Sequence, residues 1–257
     1  MLPEQRKRRL LELLTENGGA DVAYLARLLD VSPATIRRDL HLLETQGHIK
    51  RTHGGAVLPH ISTAFEPLHS EKAGRQLEQK RAIARVAARS VSDGEVIVLD
   101  SGSTTLALAR ELKGKRDITV ITSDLKIALE LCDTPGFGVI ILGGSVRPSI
   151  YSVIGHAVEE SLANLNANSS FIGADAVSLE AGLTNATLEE VPVKRLMRDC
   201  GQRAVLLADH TKFGKRSLAK VGDLDDFDEI ITDAGLEPQV ARIYTDAGIK
   251  LTRANGE

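Results

Sequence analysis

Apolar and polar positions in the first 60 residues recur with the period of a helix, whereas beyond residue 90 they gather into short, nearly unbroken apolar runs. Leu10, Leu13 and Leu14 share one face of a first helix, which the Asn17 to Gly19 triplet ends with residues that accept left-handed geometry. Asp21 caps a second helix in which Val22, Leu25, Leu28 and Leu29 face inward. A third starts at Ser32, with Pro33 at the first helical position, where its missing N–H costs nothing. Its apolar stripe is Ile36, Leu40 and Leu43; Ala34, Arg38, His41 and Thr45 lie opposite, with Thr35 and Arg37 on the flanks. Three helices joined by tight connections predict a helix-turn-helix core, and the alternating "HIKRTHGGAVL" that follows, with its Gly54–Gly55 pair, predicts a hairpin wing.

From Pro59 to Gly74 no period holds and two prolines interrupt the chain, so residues 59–74 read as a linker. A helix over roughly 76–91 then leads into seven apolar runs: EVIVLD (95–100), ITVIT (118–122), GVIIL (138–142), SSFIGAD (169–175), RAVLLAD (203–209), DEIITD (228–233) and IKLT (249–252). Helical segments separate them. Such alternation predicts a mostly parallel sheet covered by helices on both faces. The expected organisation is a mainly α winged helix-turn-helix domain over 1–58, the linker, and an α/β domain over 75–257.

Composition narrows the function only a little. Apolar residues make up 42% of the 257 positions and charged ones 26%, as in soluble globular proteins. The net charge of -3 excludes a uniformly basic nucleic-acid binder, although residues 1–60 carry nine Lys and Arg against seven Asp and Glu. Cys132 and Cys200 lack metal-ligand spacing and read as buried thiols in a reducing compartment. The apolar run after Arg9 is cut by Glu12, too soon for a signal peptide or a membrane span. A cytoplasmic protein with no membrane partner, cofactor or metal is expected.

Charge placement in the first domain points to duplex DNA. With the second helix bracing the third, Ser32, Thr35, Arg37 and Arg38 project where base edges and phosphates would lie, and Lys50, Arg51 and His53 of the wing would hold the backbone beside the groove. Asp39 cannot usefully approach phosphate; a structural role, such as orienting an arginine, is expected for it.

In the α/β domain, ligands sit beyond the carboxyl ends of parallel strands. The first such end runs through Asp100, Ser101, Gly102, Ser103, Thr104 and Thr105 straight into a helix, a loop able to cradle phosphate with backbone N–H groups and hydroxyls. It lacks the lysine of a nucleotide P-loop and the glycine pattern of a dinucleotide site, which favours a small phosphorylated metabolite. Other strand ends present Thr122, Ser123 and Asp124, then Gly143, Gly144 and Arg147, then Asp175, then Asp209, Lys212 and Lys215. Hydrogen-bonding residues for phosphate, carboxylates for hydroxyls and a few cations are what a sugar phosphate requires.

Taken together, these residues make the chain resemble the DeoR family of bacterial transcriptional regulators, in its GlpR-like branch. "VSPATIRRDLHLLETQGHIKRTHGGAV" is similar to the family's N-terminal signature; "LDSGSTT", "LGG" with its following Arg, "FIGADAV", "LEEVPVKRLM" and "ADHTKFGKRS" are similar to its effector domain. The resemblance implies an α/β fold similar to ribose-5-phosphate isomerase and a repressor of sugar or polyol catabolism genes, released from operator DNA by a phosphorylated sugar or polyol. Glu189 enters the effector-binding set with the acidic pair of "TNATLEE". The changes at Thr122–Ser123, at "ADAV" and at "TNATLEE" fall where a ligand's hydroxyl pattern would be read. A palindromic operator calls for at least a homodimer, and a tetramer is also compatible. The competing reading is a sugar-phosphate isomerase-like enzyme with an attached DNA-binding domain, drawing its general base from Asp175, Glu189, Asp209 or Lys212.

Overall fold

In the computed structural model the described residues are 3–17, 19–45, 49–52, 54–57, 69–148 and 150–254. They fall into two separately packed units, divided between residues 62 and 63.

In the first unit α1 (Pro3–Asn17) leads through a short strand β1 (Gly19–Asp21) to α2 (Val22–Leu28) and α3 (Pro33–Thr45), followed by β2 (Lys50–Arg51) and β3 (Gly55–Val57). Asp21 accepts the Tyr24 N–H and caps α2 as expected. Leu10, Leu13, Leu14, Val22, Leu25, Leu29, Ile36, Leu40 and Leu43 meet in one core. Leu28 departs from expectation: it is 47% exposed, and Ala26 takes its place in the core. The wing is larger than the sequence suggests, because β1 joins β3 antiparallel and makes a three-stranded sheet in the order β1-β3-β2. A Cβ on Gly55 would lie 2.1 Å from the Ala20 carbonyl oxygen, so only glycine lets these strands approach.

The second unit opens with α4 (His69–Gly74) and α5 (Leu77–Arg89), followed by β4 (Val96–Leu99), α6 (Ser103–Glu111), β5 (Ile118–Thr122), α7 (Leu125–Leu131) and β6 (Phe137–Ile141). A small hairpin β7 (Ser145–Val146) and β8 (Val153–Ile154) precedes α8 (His156–Leu162) and β9 (Ala167–Gly173). Then come β10 (Ala176–Ser178), β11 (Gly182–Asn185), α9 (Val191–Cys200), β12 (Gly201–Leu207), β13 (Ala219–Gly222), β14 (Glu229–Asp233), α10 (Pro238–Asp246) and β15 (Leu251–Ala254). All seven apolar runs enter one parallel sheet, ordered β15-β14-β12-β9-β4-β5-β6. One core packs α5, α6 and α7 on one face and another packs α8, α9 and α10 on the opposite face. The antiparallel trio β10-β11-β13 was not foreseen.

Two corrections concern the segments between elements. Much of the expected linker lies outside the described residues, but its last six residues form α4 and belong to the second unit. Of the two cysteines, Cys200 is buried and Cys132 is exposed at the end of α7. Among the described residues no helix is long and apolar enough to cross a membrane.

Candidate functional site

In the N-terminal unit Ser32 Oγ accepts the Thr35 N–H at 3.2 Å and lies 2.8 Å from the Thr35 hydroxyl, which fixes the start of α3. Arg37, Arg38 and His41 are exposed along that helix. Asp39 is turned inward, where Arg6 donates to it through Nε at 2.6 Å and Nη2 at 3.3 Å, tying α1 to α3. Arg51 is exposed, and its backbone N–H donates to Glu44 Oε1 at 3.0 Å, joining β2 to the last turn of α3. Lys50 lies in β2; its side chain, and all of His53, fall outside the described residues.

In the second unit the strand ends singled out from sequence are contiguous, belonging to β12, β9, β4, β5 and β6. The chain builds outward from β4 to β5 and β6, then returns to place β9 on the other side of β4. The crevice between β4 and β9 is therefore the switch point, where open α/β sheets take their ligands. Here Asp100 Oδ2 accepts the Gly173 N–H at 2.8 Å and a bond from the Lys194 ammonium, which also donates to the Gly173 carbonyl at 3.2 Å. Burial lifts the Asp100 carboxyl above the usual range despite the lysine. Burial alone would lower Lys194, yet Asp100, Glu190 and Asp175 together hold its ammonium above the ordinary value.

The phosphate-type loop is already occupied by a carboxylate of the protein. Asp124 Oδ2 accepts the Ser101 hydroxyl at 2.8 Å and the Gly102 N–H at 3.1 Å, while Oδ1 caps α7 through the N–H groups of Lys126 and Ile127. Thr105 Oγ1 donates to the Gly102 carbonyl, leaving the Ser103 and Thr104 side chains half-buried at the start of α6. Thr122 is a staple between strand ends, donating to the Leu99 carbonyl and accepting the Asp124 N–H. Ser123 is buried, with its carbonyl accepting the Val153 N–H.

Glu189 faces solvent, and the buried acid is its neighbour Glu190. Glu190 accepts from Ser152 Oγ at 2.7 Å and Asn185 Nδ2 at 3.1 Å, and pairs with Arg147 at 2.6 Å. Burial opposes its charge, but Lys194, Ser152, Arg147 and Asn185 hold its carboxyl below the ordinary range. Gly143 is exposed, and Gly144 serves packing: a Cβ there would meet the Ile154 carbonyl oxygen at 2.6 Å. Asp175 accepts the Ala186 N–H at 3.0 Å and pairs with Lys72 of α4 at 3.0 Å. Against the cost of burial, Lys72, Lys194, that N–H and Lys212 hold it well below the usual carboxylate range. Asp209 is engaged locally, accepting the Thr211 N–H and hydroxyl. Burial lowers the proton affinity of Lys212, with Asp209 and Asp175 opposing the fall and Lys72 and Lys215 adding to it; it makes no ion pair to either acid among the described residues.

Sequence reasoning missed Glu190, Lys194 and Lys72 as members of this cluster, and named Asp124 only as one of the polar residues at the end of β5. Lys194 carried a signal: it interrupts the apolar stripe of Val193, Met197 and Cys200 on α9, where a lysine without a buried partner would be costly. No cluster of His, Cys, Asp and Glu able to hold a metal ion occurs among the described residues.

Comparison with known proteins decides the family. Residues 6–62 match the DeoR-like helix-turn-helix domain and residues 75–234 the DeoR C terminal sensor domain. The chain belongs to the DeoR family of transcriptional regulators. The transcriptional regulator GolR of Listeria innocua is 39% identical over 97% of this chain and 98% of its own. The glycerol-3-phosphate regulon repressor of Escherichia coli is 32% identical over 98% of this chain and 99% of its own. Among solved structures, ribose 5-phosphate isomerase A from Neisseria gonorrhoeae is similar with a TM-score of 0.40 and 18% identity, over 53% of each chain. As a DeoR-family member the protein is a DNA-binding transcriptional regulator, with α3 in the DNA-binding domain and the β4–β9 crevice in the sensor domain.

Proposed function

We propose that the protein is a repressor of sugar or polyol catabolism genes and that a phosphorylated sugar or polyol, bound at the β4–β9 switch point, releases it from its operator. The observation that carries this reading is the buried grouping of Asp100 with Glu190 and Lys194 of α9, with the mostly buried Asp175 at the end of β9 joining Lys72. Carboxylates accept sugar hydroxyls, ammonium groups attract phosphate, and a helix N-terminus favours an anion. The names of the relatives support it, one being the repressor of a glycerol-3-phosphate regulon.

On DNA, the exposed Arg37 and Arg38 enter the major groove with Thr35, and the wing lies beside them. A palindromic operator presents half-sites about 34–36 Å apart, so a homodimer is the smallest working form. Release by a hundredfold loss of operator affinity needs only about 2.7 kcal/mol of differential ligand binding between the two states. The isomerase reading is weaker, because Glu189 faces solvent and Asp209 is engaged by Thr211.

A thermal-shift screen of pentose, hexose and polyol phosphates beside their unphosphorylated parents tests the proposal, since a ligand bound only by the folded chain raises Tm. A phosphorylated hit that also lowers anisotropy of a labelled operator duplex supports it. If no phosphorylated compound does both, the reading fails.

A further inference from the structure

Helix α4 lies in the stretch that the sequence reads as linker, yet its Lys72 and His69 reach the end of β9 and the start of α7, on either side of β4. Lys72 Nζ lies 3.0 Å from Asp175 Oδ1, and both side chains are mostly buried. His69 Nδ1 lies 3.0 Å from Lys126 Nζ; an ammonium only donates, so Nδ1 accepts and the proton sits on Nε2, a buried donor with no partner among the described residues. His69 also packs edge-on against Tyr151, over whose ring Lys126 sits at 4.1 Å. Tyr151 has φ 70, a strained setting for a bulky residue, and stands between Arg147 and Ser152, which both hold Glu190. From α5, the buried Lys80 donates to the Lys72 and Arg75 carbonyls at the end of α4.

We propose that Lys72 is an effector-binding residue: its ammonium, already on Asp175, also takes the ligand's phosphate, so that occupancy of the crevice fastens α4 to the sheet. This rests on the effector reading above and extends it to an element that precedes the sheet in the chain. Beyond the effect of burial, Lys212 and Lys72 both lower the proton affinity of Lys80, which donates to the Lys72 carbonyl, and Lys72 lowers that of Lys212; an anion placed among them relieves that repulsion. A phosphate dianion also binds an ammonium more strongly than one carboxylate does. α4 is the first described element after β3, so what the ligand would fasten is the N-terminal end of the second unit.

The test is hydrogen exchange of the 69–75 amides in the full chain, with inorganic phosphate and then with each phosphorylated compound that releases the operator. Wild type is expected to exchange more slowly in α4 when such a compound is bound. Lys72→Gln is expected to bind it about tenfold or more weakly, equivalent to about 1.4 kcal/mol, to lose the slowing and to stay on the operator. Unchanged α4 exchange in liganded wild type overturns the proposal, and this measurement decides even if Lys72→Gln does not fold. A Lys72→Gln protein that responds like wild type overturns it while leaving the effector reading intact. If no phosphorylated compound affects wild type, the effector reading fails and this proposal falls with it.

Discussion

Asp100 and Lys194, 94 residues apart in the chain, share a buried hydrogen bond that closes the junction of β4 and β9. Both side chains are almost wholly removed from solvent. A pair of this kind gains little over an apolar pair of the same shape, but the loss of one partner strands the other's charge.

Lys194→Met is therefore expected to destabilise the sensor domain by about 3–5 kcal/mol, and Asp100→Ala by a similar amount. Lys194→Met combined with Asp100→Leu should regain most of that loss. Urea unfolding of the single and double variants checks it. Asp100→Ala would thus blunt a ligand response through stability as well as contact, which makes Lys212→Gln the cleaner probe of the crevice.

Lys212→Gln removes a half-buried ammonium that is held without an ion pair among the described residues. Tm without ligand should stay level or rise, while the thermal shift given by a phosphorylated ligand should shrink. A full shift in the variant would place the ligand's phosphate away from Lys212.

On α3 two adjacent residues should separate cleanly. Arg38→Ala, exposed, should cost about 1–3 kcal/mol of operator affinity with Tm unchanged. Asp39→Ala, which breaks the tie to Arg6, should cost about 1.5–3 kcal/mol of folding stability. Anisotropy titrations across a salt series and melts of both variants test the division; equal effects of the two on operator affinity at matched folding would remove Arg38 from the DNA face.

Lys80 offers a pH signature. Burial lowers its pKa from 10.5 to about 8, against the pull of Asp209 and with Lys212, Lys72 and Arg75 adding to the fall. Between those values the unfolded chain holds the proton and the folded one does not, so stability contributed at this site rises with pH across the window. Below about 8 both states are protonated and the contribution is flat. The gain has an upper bound of about 3 kcal/mol. Lys80→Met should lose this rise, seen as a wild-type-minus-variant difference in unfolding free energy that grows from pH 8 toward 10.

Long periodic segments were legible from sequence because period alone determines which face is buried. The stripe Ile36, Leu40 and Leu43 behaves so, while the seven parallel strands were legible in another way, as nearly unbroken apolar runs. Elements of two or three residues, such as β1, β7 and β10, are too short for a period to show and exist through their partners. The site was legible as a set of strand ends, not as a set of contacts. In a loop, adjacent acids such as Glu189 and Glu190 have identical chemistry, and only the turn into α9 decides which one is buried. Lys72 was hidden because six residues after an aperiodic stretch carry no amphipathic signature.

The carboxylate of Asp124 on Ser101 and Gly102 means the unliganded pocket comes with its own built-in competitor. An incoming group that claims those donors must outbid a negative charge held in place by the first turn of α7. A neutral hydroxyl would trade a charge-assisted bond for an ordinary one and gain nothing by it, whereas a doubly charged oxyanion gains on the exchange. If the proposed effector docks at this loop, the resting arrangement would favour a phosphorylated compound over its uncharged precursor.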